Sequence, residues 1–272
     1  MMNRKTSILG TWIVLGFWLL NFQWVFAVDS IEAKRIFSEA QSTFSEGLNK
    51  IGAEKQLTML KAANQFEYMV NTLNIENGYL YFNIGNAYYE AGDLGKAILN
   101  YRIAERLIPG YMDLGHNLDQ ARADLNLPAP EKSWYADIIK GIFFWHYMID
   151  YANRRLVFLC LFVLLWLVLT IMIFQRHTLI KAGLIFVLLL NFAFGSSYLI
   201  SLYEIKFVHA GVVTAKTTFA RRGPGLSYEK LFEQPLPGGT EFNIVDDQED
   251  WWKVQLPGGE MVWLKKEDIW KI

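Results

Sequence analysis

Residues 78–111 read GYLYFNIGNAYYEAGDLGKAILNYRIAERLIPGY, and this stretch decides the fold of the first half of the chain. Its apolar and small residues recur at helical spacing, which predicts two short amphipathic helices. The first helix carries Tyr81, Ile84, Gly85 and Tyr88 on one face, and the second carries Ala97, Tyr101 and Ala104. Gly92 supplies a helix stop, Asp93 an N-cap and Pro109 the end of the second helix. The stretch therefore predicts a helical hairpin.

The small residues of this hairpin predict a close contact between its two helices. Gly85 leaves room for a neighbouring backbone, and the tyrosine rings fill the gaps beside it. The pattern resembles a tetratricopeptide (TPR) repeat, which has a period of roughly 34 residues. We expect a degenerate first repeat over residues 31–73 with an enlarged polar loop at 47–55, and a capping helix over 113–125. The resemblance implies an all-α TPR helical array over residues 28–127.

Asparagines recur in this region at about the repeat interval: Asn83 and Asn86 lie in one helix, and Asn117 lies one repeat later. The TPR resemblance implies that such side chains face a groove and hydrogen-bond a partner's backbone or carboxylate. The alternative is that they bond to neighbouring helix ends. The predicted protein-binding residues are Tyr79, Phe82, Asn83, Asn86, Tyr89 and Asn117.

The N-terminus, residues 1–27, is typical of an export signal. Arg4 and Lys5 precede an apolar stretch, and Ala27 offers a small residue for cleavage. The alternative is an uncleaved anchor helix. Either interpretation places residue 28 onward outside the cytoplasm.

Two apolar segments predict a transmembrane α-hairpin over residues 154–203. Leu156–Phe174 carries no charge, and at about 1.5 Å per residue it is long enough to cross the bilayer core. Ala182–Tyr203 is the second expected span. The basic loop at 175–181 suits the cytoplasmic side. Asn191, Gly195, Ser196 and Ser197 form a small or polar strip, for which helix packing is favoured over a transport pathway.

The segment before the hairpin, residues 128–153, combines a linker with an aromatic stretch. Pro128 and Pro130 indicate the linker. Residues 134–151 are rich in aromatics and too polar to span, so we expect an interfacial helix, with a partner-binding helix as the alternative. His146 there is interpreted as an interface residue and not as a ligand.

Residues 204–272 switch to alternating polar and apolar residues with Gly and Pro turns, which predicts a small all-β barrel. The expected strands are 210–215, 218–222, 229–233, 240–246, 251–256 and 260–264. Trp252 and Val254 should face the core and leave Trp251 on the other face, where it and Tyr228 either hold a ligand or pack together. The order resembles a bacterial SH3 domain, although Val262 stands where that family usually has glycine and no proline follows Leu264.

Several classes of function have no support in the sequence. The net charge is −1, which gives no electrostatic case for nucleic-acid binding. Cys160 is the single cysteine and lies in an apolar run, so no cysteine-rich metal site is expected. The acidic run at 246–250 lacks a calcium-loop spacing. No serine-hydrolase, zinc-protease, phosphate-loop or dinucleotide motif appears, so we expect neither catalysis nor a cofactor.

The order of signal, short TPR array, membrane hairpin and SH3-like domain resembles the E component of the Bacteroides aerotolerance (Bat) operon. The resemblance implies a bacterial inner-membrane protein with both soluble domains in the periplasm. It also implies partners among the operon's membrane proteins that bear von Willebrand A domains, and a role in oxidative-stress tolerance. The leading hypothesis is a non-catalytic membrane scaffold. The alternatives are a peptidoglycan-binding protein acting through the SH3-like domain and an assembly chaperone.

Overall fold

The computed structural model describes residues 31–127, 138, 141–175, 177–207 and 209–272, and this part of the chain is mostly helical with a small antiparallel β-structure. The predicted export signal at 1–27 and the linker at 128–137 lie outside the described residues. The helices are α1 (Ile31–Leu48), α2 (Gly52–Asn71), α3 (Gly78–Glu90), α4 (Leu94–Leu107), α5 (Met112–Asp124), α6 (Phe144–Met148), α7 (Tyr151–Phe174) and α8 (Thr178–Phe207).

Helices α1 to α5 pack in sequence around one apolar core and form the helical domain. Polar side chains cap the central pair: Asn77 accepts from the Tyr79 amide and Asp93 accepts from the Lys96 amide. The core alternates alanines with large side chains, so neighbouring helices approach closely. Gly85 is the tightest example, because a Cβ there would lie 2.5 Å from the Tyr101 ring.

The enlarged loop expected at residues 47–55 is wrong. Helix α1 continues to Leu48 and α2 begins at Gly52, which leaves a short connection between them. Lys50 in that connection pairs with Glu46 at 2.7 Å and with Glu54 at 3.0 Å, so both flanking helix ends are held to it. The polar composition of this segment was interpreted as a loop. Its charged residues Glu46, Lys50 and Glu54 instead pair with one another at the ends of α1 and α2.

Helices α7 and α8 form a hairpin, and the segments Tyr151–Phe174 and Thr178–Tyr203 are each long and apolar enough to cross a membrane. Asn191 donates its side-chain amide to the Leu161 carbonyl at 3.0 Å across the pair. A Cβ at Gly195 would lie 3.0 Å from the Phe158 ring, which is tight packing. The small and polar strip of α8 thus serves helix packing, as predicted. Of the aromatic stretch before the hairpin, the described residues include the short helix α6.

The C-terminal β-domain has a five-stranded antiparallel sheet and a two-stranded one. The strands are β1 (Ala210–Val213), β2 (Thr217–Thr218), β3 (Leu236–Pro237), β4 (Glu241–Gln248), β5 (Trp251–Gln255), β6 (Met261–Lys265) and β7 (Ile269–Lys271). The larger sheet has the order β6-β5-β4-β1-β7, and β2 pairs with β3. Val254 is fully buried and Trp252 packs beside it, as expected from the alternation.

Two of the expected strands are wrong in extent. The segment 218–222 contributes only its first residue to β2, and 229–233 is reduced to a single bridge between Arg221 and Lys230. Gly223, Pro224 and Gly225 lie between these segments and favour a loop over an extended pairing. Strands β3 and β7 were not predicted, because both are very short.

The helical domain and the β-domain pack directly against each other through α4, α5, β1 and β4. Val212 of β1 is fully buried within the helical core. Glu241 of β4 pairs with Arg122 at 2.7 Å and with Arg102 at 2.9 Å. The Arg106 side chain donates to the Ile272 carbonyl at 2.9 Å. The sequence did not predict this interface. It joins two domains that are separated in the sequence by the α7–α8 hairpin.

Candidate functional site

A cavity of about 450 Å³ opens between α1, α2 and α3 and contains two of the predicted binding residues. The lining side chains are all uncharged: Gln41, Ser42, Phe44, Ser45, Phe66, Asn83 and Asn86. The volume falls within the range of pockets that bind small ligands. The combination of two phenyl rings with hydroxyl and amide groups can receive an apolar side chain and hydrogen-bond to a polar backbone.

Asn86 joins three helices on the wall of this cavity. Its side-chain oxygen accepts from the Tyr101 hydroxyl of α4 and from the Asn117 amide of α5, each at 2.8 Å. Tyr101 is fully buried, so Asn86 satisfies a hydroxyl that would otherwise lose a hydrogen bond inside the core. Burial raises the pKa of Tyr101, and the hydroxyl therefore stays protonated as a donor. Asn86 and Asn117 have a structural role, which leaves the Asn86 amide group as the part that faces the cavity.

Asn83 differs from Asn86 because no hydrogen bond of its side chain is found among the described residues. It lies one helical turn before Asn86 on the same side of α3 and lines the same cavity. Its partly exposed amide offers both donors and an acceptor to a ligand. Asn83 is therefore the predicted site residue whose environment fits ligand binding best.

Three other predicted residues lie outside the cavity. Phe82 is buried in the core beside Tyr101 and Tyr111, so its assignment to a binding surface is corrected. Tyr79 begins α3 and packs edge-to-face on Tyr111 at 5.3 Å. At the other end of α3, the Tyr89 hydroxyl donates to Asp124 at 2.7 Å, and this bond raises the pKa of Tyr89 to about 12.

Trp251 lies in β5, partly exposed, opposite Gln248 and Lys265. Tyr228 packs instead over Gly223, in the loop that Arg221 holds by bonds to two carbonyls. No ring contact between Trp251 and Tyr228 is found within the described part of the chain. The structure thus does not combine them into one surface.

The sequence reasoning missed the α1 side of the cavity. No binding role was predicted for the cavity-lining residues of α1 and α2, which are Gln41, Ser42, Phe44, Ser45 and Phe66. A signal existed, because Gln41 and Ser45 are four residues apart and share a helix face. The α1–α2 connection determines which neighbouring helix this face of α1 meets. Because that connection was predicted wrongly, the cavity could not be predicted.

A second cavity, of about 340 Å³, lies where the helical domain meets α6 and the start of α7. Tyr79, Ile108 and Tyr111 line one side of it, and Met148, Asp150 and Asn153 line the other. The Asp150 carboxylate caps α7 by accepting a hydrogen bond from the backbone N–H of Asn153 at 2.8 Å. This cavity brings polar and apolar groups together beside the first residues of the apolar segment.

Next to that cavity, a buried polar cluster joins α6, α7 and α8. His146 Nδ1 lies 2.9 Å from the Ser197 hydroxyl and 2.6 Å from the Arg154 guanidinium. Burial and the neighbouring Arg154 lower the pKa of His146 to about 4, so its ring is neutral near pH 7. The cluster holds the three helices together. His146 is thus buried between helices, and its expected place at the membrane interface stays a prediction.

Comparison with known proteins gives no relative for this geometry. No protein-family model, curated protein or solved structure that was compared with the chain matches it. Within the described ranges, no group of three or more His, Cys, Asp or Glu side chains is placed to hold a metal ion. The described features that bear on function are therefore the cavity and the apolar α7–α8 hairpin.

Proposed function

We propose that the protein is a non-catalytic, membrane-anchored scaffold whose helical domain binds an extended segment of a partner protein in the cavity between α1, α2 and α3. The observation that carries the proposal is the cavity itself, with a free Asn83 amide beside two phenyl rings. The helical domain is proposed to be a short TPR array and the β-domain an SH3-like module. The resemblance to the Bat operon component supports both, together with a membrane complex in stress tolerance and partners bearing von Willebrand A domains.

The side chains that line the cavity restrict the class of ligand that can bind there. A C-terminal carboxylate is usually held by Lys or Arg, whereas all seven lining side chains are uncharged. Amide and hydroxyl groups instead suit the neutral N–H and C=O groups of a peptide backbone. We therefore propose an internal, extended peptide segment that places an apolar side chain against Phe44 and Phe66.

The location follows from the apolar hairpin and the expected export signal. Helices α7 and α8 are proposed to span a bacterial inner membrane, with the helical domain and the β-domain on its periplasmic side. The cavity would then be open to partners in that compartment or to the exposed parts of neighbouring membrane proteins.

The test is peptide selection on the full chain in nanodiscs, using a displayed library of random dodecapeptides. The enriched peptides should bind the Asn83→Ala variant about fivefold to tenfold more weakly, because a buried hydrogen bond contributes roughly 1 kcal/mol. Asn64→Ala is the matched control, since Asn64 is an exposed helical asparagine outside the cavity. Equal binding by both variants would disprove the assignment of Asn83.

Asn86→Ala separates ligand binding from folding in the same experiment. This substitution leaves the buried Tyr101 hydroxyl without its acceptor, so stability should fall by about 1–3 kcal/mol. Asn83→Ala should leave the unfolding curve unchanged. The contrast between these neighbouring asparagines distinguishes a lost contact with the ligand from a damaged domain.

The second candidate function is peptidoglycan binding by the β-domain, and the exposed Tyr228 ring favours it. An aromatic face on an ordered loop can stack on a sugar ring. Saturable retention of the full chain on purified sacculi, without peptide selection by the cavity, would favour this candidate over the scaffold.

A further inference from the structure

The helical domain has two distinct ends, and only one of them meets the start of the membrane hairpin. A Cβ at Gly110, just after α4, would overlap the Tyr147 carbonyl oxygen, so these two backbones are in direct contact. The cavity beside it is lined jointly by Tyr111 of the helical domain and by Met148 and Asp150 of the membrane entry. We call the α4–α5 connection and the start of α5, residues 108–112, the near loop.

The opposite end of the domain is marked by the connection between α1 and α2. Lys55 at the start of α2 pairs with Glu90 at the end of α3 at 2.5 Å. The start of α3 lies at the near end instead, because Gly78 packs against Ile108. Helix α3 has 13 residues, and at about 1.5 Å per residue it separates the two ends by about 20 Å.

The near end exposes large apolar side chains to the surroundings. Met112 of the near loop is 86% exposed, and Met148 across the adjoining cavity is 76% exposed. Phe144 of α6 is also exposed. Phe144 and Met148 precede Tyr151, where the apolar segment begins, by a few residues. Met112 is far from Tyr151 in the sequence, but the near loop is brought to the same place by the contact of Gly110 with Tyr147. A cluster of exposed apolar groups at that level is typical of a surface that rests in the interfacial region of a bilayer.

We propose that the near end of the helical domain lies on the phospholipid bilayer, with Met112 and Met148 immersed among the headgroups. The inference rests on the proposed function in one respect, namely that α7 and α8 span that bilayer. Asp113 and Asp150 flank the two methionines. Because carboxylates are costly to bury in hydrocarbon, they confine the contact to the headgroup region.

Depth-dependent fluorescence quenching on the full chain in phosphatidylcholine nanodiscs tests this contact. Single cysteines are introduced into a Cys160→Ser background and labelled with bimane. The positions are Met112→Cys for the near loop, Ile51→Cys as the matched control and Val163→Cys for the middle of α7. Ile51 is 88% exposed, as open as Met112, but lies at the far end.

Headgroup-attached nitroxide lipids should quench the label at Met112 and leave the label at Ile51 at its full emission. Nitroxides at the middle of the acyl chain should quench the label at Val163. A quenched Val163 with an unquenched Met112 would overturn the inference and leave the membrane anchor intact. Equal quenching at Met112 and Ile51 would overturn the orientation of the domain. An unquenched Val163 would overturn the membrane-spanning hairpin and the inference with it.

Discussion

Gly85 shows how a single hydrogen atom in place of a side chain determines the distance between two helices. A Cβ at this position would lie 2.5 Å from both Cδ1 and Cε1 of Tyr101. The ring cannot easily move, because Tyr101 is fully buried and its hydroxyl is bonded to Asn86. The α3–α4 spacing therefore depends on glycine here.

We expect Gly85→Ala to destabilise the protein. Overpacking costs about 1–3 kcal/mol, with the upper part of that range expected for so short a contact, whereas alanine gains about 1 kcal/mol in helix propensity. The measurement is the free energy of unfolding in urea, followed by circular dichroism of the full chain in detergent. Gly115→Ala in α5 is the control, since no atom lies within 4 Å of its Cβ position, and it should stabilise. A stabilised Gly85→Ala would contradict the helix contact.

At the residue scale, the structural roles of small residues could be predicted from the sequence better than the roles of polar residues. The helical spacing of Gly85 and Ala97 is enough to place both in a helix contact. The role of Asn86 was not predictable, because its two donors come from α4 and α5 and converge only in the packed domain. Phe82 was assigned to the wrong side of α3 for a related reason, since α3 is covered on more than one face.

Among the elements, the α7–α8 hairpin has the clearest sequence signal and the most direct test. The export signal predicts that the helical domain lies outside and that the α7–α8 turn lies in the cytoplasm. The His177→Cys variant, in a Cys160→Ser background, should therefore not react with a membrane-impermeant maleimide in intact spheroplasts. It should react after permeabilisation. Asn64→Cys, on the exposed surface of α2, should react in both conditions. Reaction at His177 in intact spheroplasts would reverse the topology.

Helix boundaries were predicted well where the apolar periodicity extends over many residues. Strands of only two or three residues were predicted poorly. The boundaries expected for the fifth helix, 113–125, differ by one residue from those of α5. Strand β7 has three residues and follows a 3₁₀ turn of charged residues, so no alternation marks it. Its pairing with β1 is set by the sheet and not by its own sequence.

At the scale of the whole molecule, Glu241 is the residue that connects the two soluble domains. Its carboxylate accepts from Arg122 Nε at 2.8 Å and pairs with Arg102 as well. The Arg122 side chain is only 7% exposed. Arg122 is far from Glu241 in the sequence, so neither could be assigned to an interface from sequence alone.

Glu241→Gln should weaken the contact between the domains. Removing one partner of a fully buried ion pair costs about 3–5 kcal/mol. A smaller loss is expected here, because the Glu241 side chain is 24% exposed and Arg122 keeps a contact with Asp119 at 3.2 Å. We expect the full chain to unfold in urea in one transition and the Glu241→Gln variant to unfold in two. Glu229→Gln is the control, because its pair with Arg222 is exposed and contributes close to nothing. A single, unshifted transition in the Glu241 variant would contradict the coupling.

The packing of β1 on α4 has a mechanical consequence. The chain leaves the helical domain, crosses the proposed membrane twice and returns to the same body, where Gly95 of α4 packs against the Val213 carbonyl. Both apolar helices are therefore attached to the same pair of packed domains, α7 through the Gly110–Tyr147 contact and α8 through β1. If a partner binds in the cavity, as the proposed function requires, a tensile force that it applies would be shared by α7 and α8 in parallel. Extraction of the protein from the proposed membrane would require α7 and α8 to leave together. The hairpin is then a stronger anchor than two helices on which the force acts one after the other.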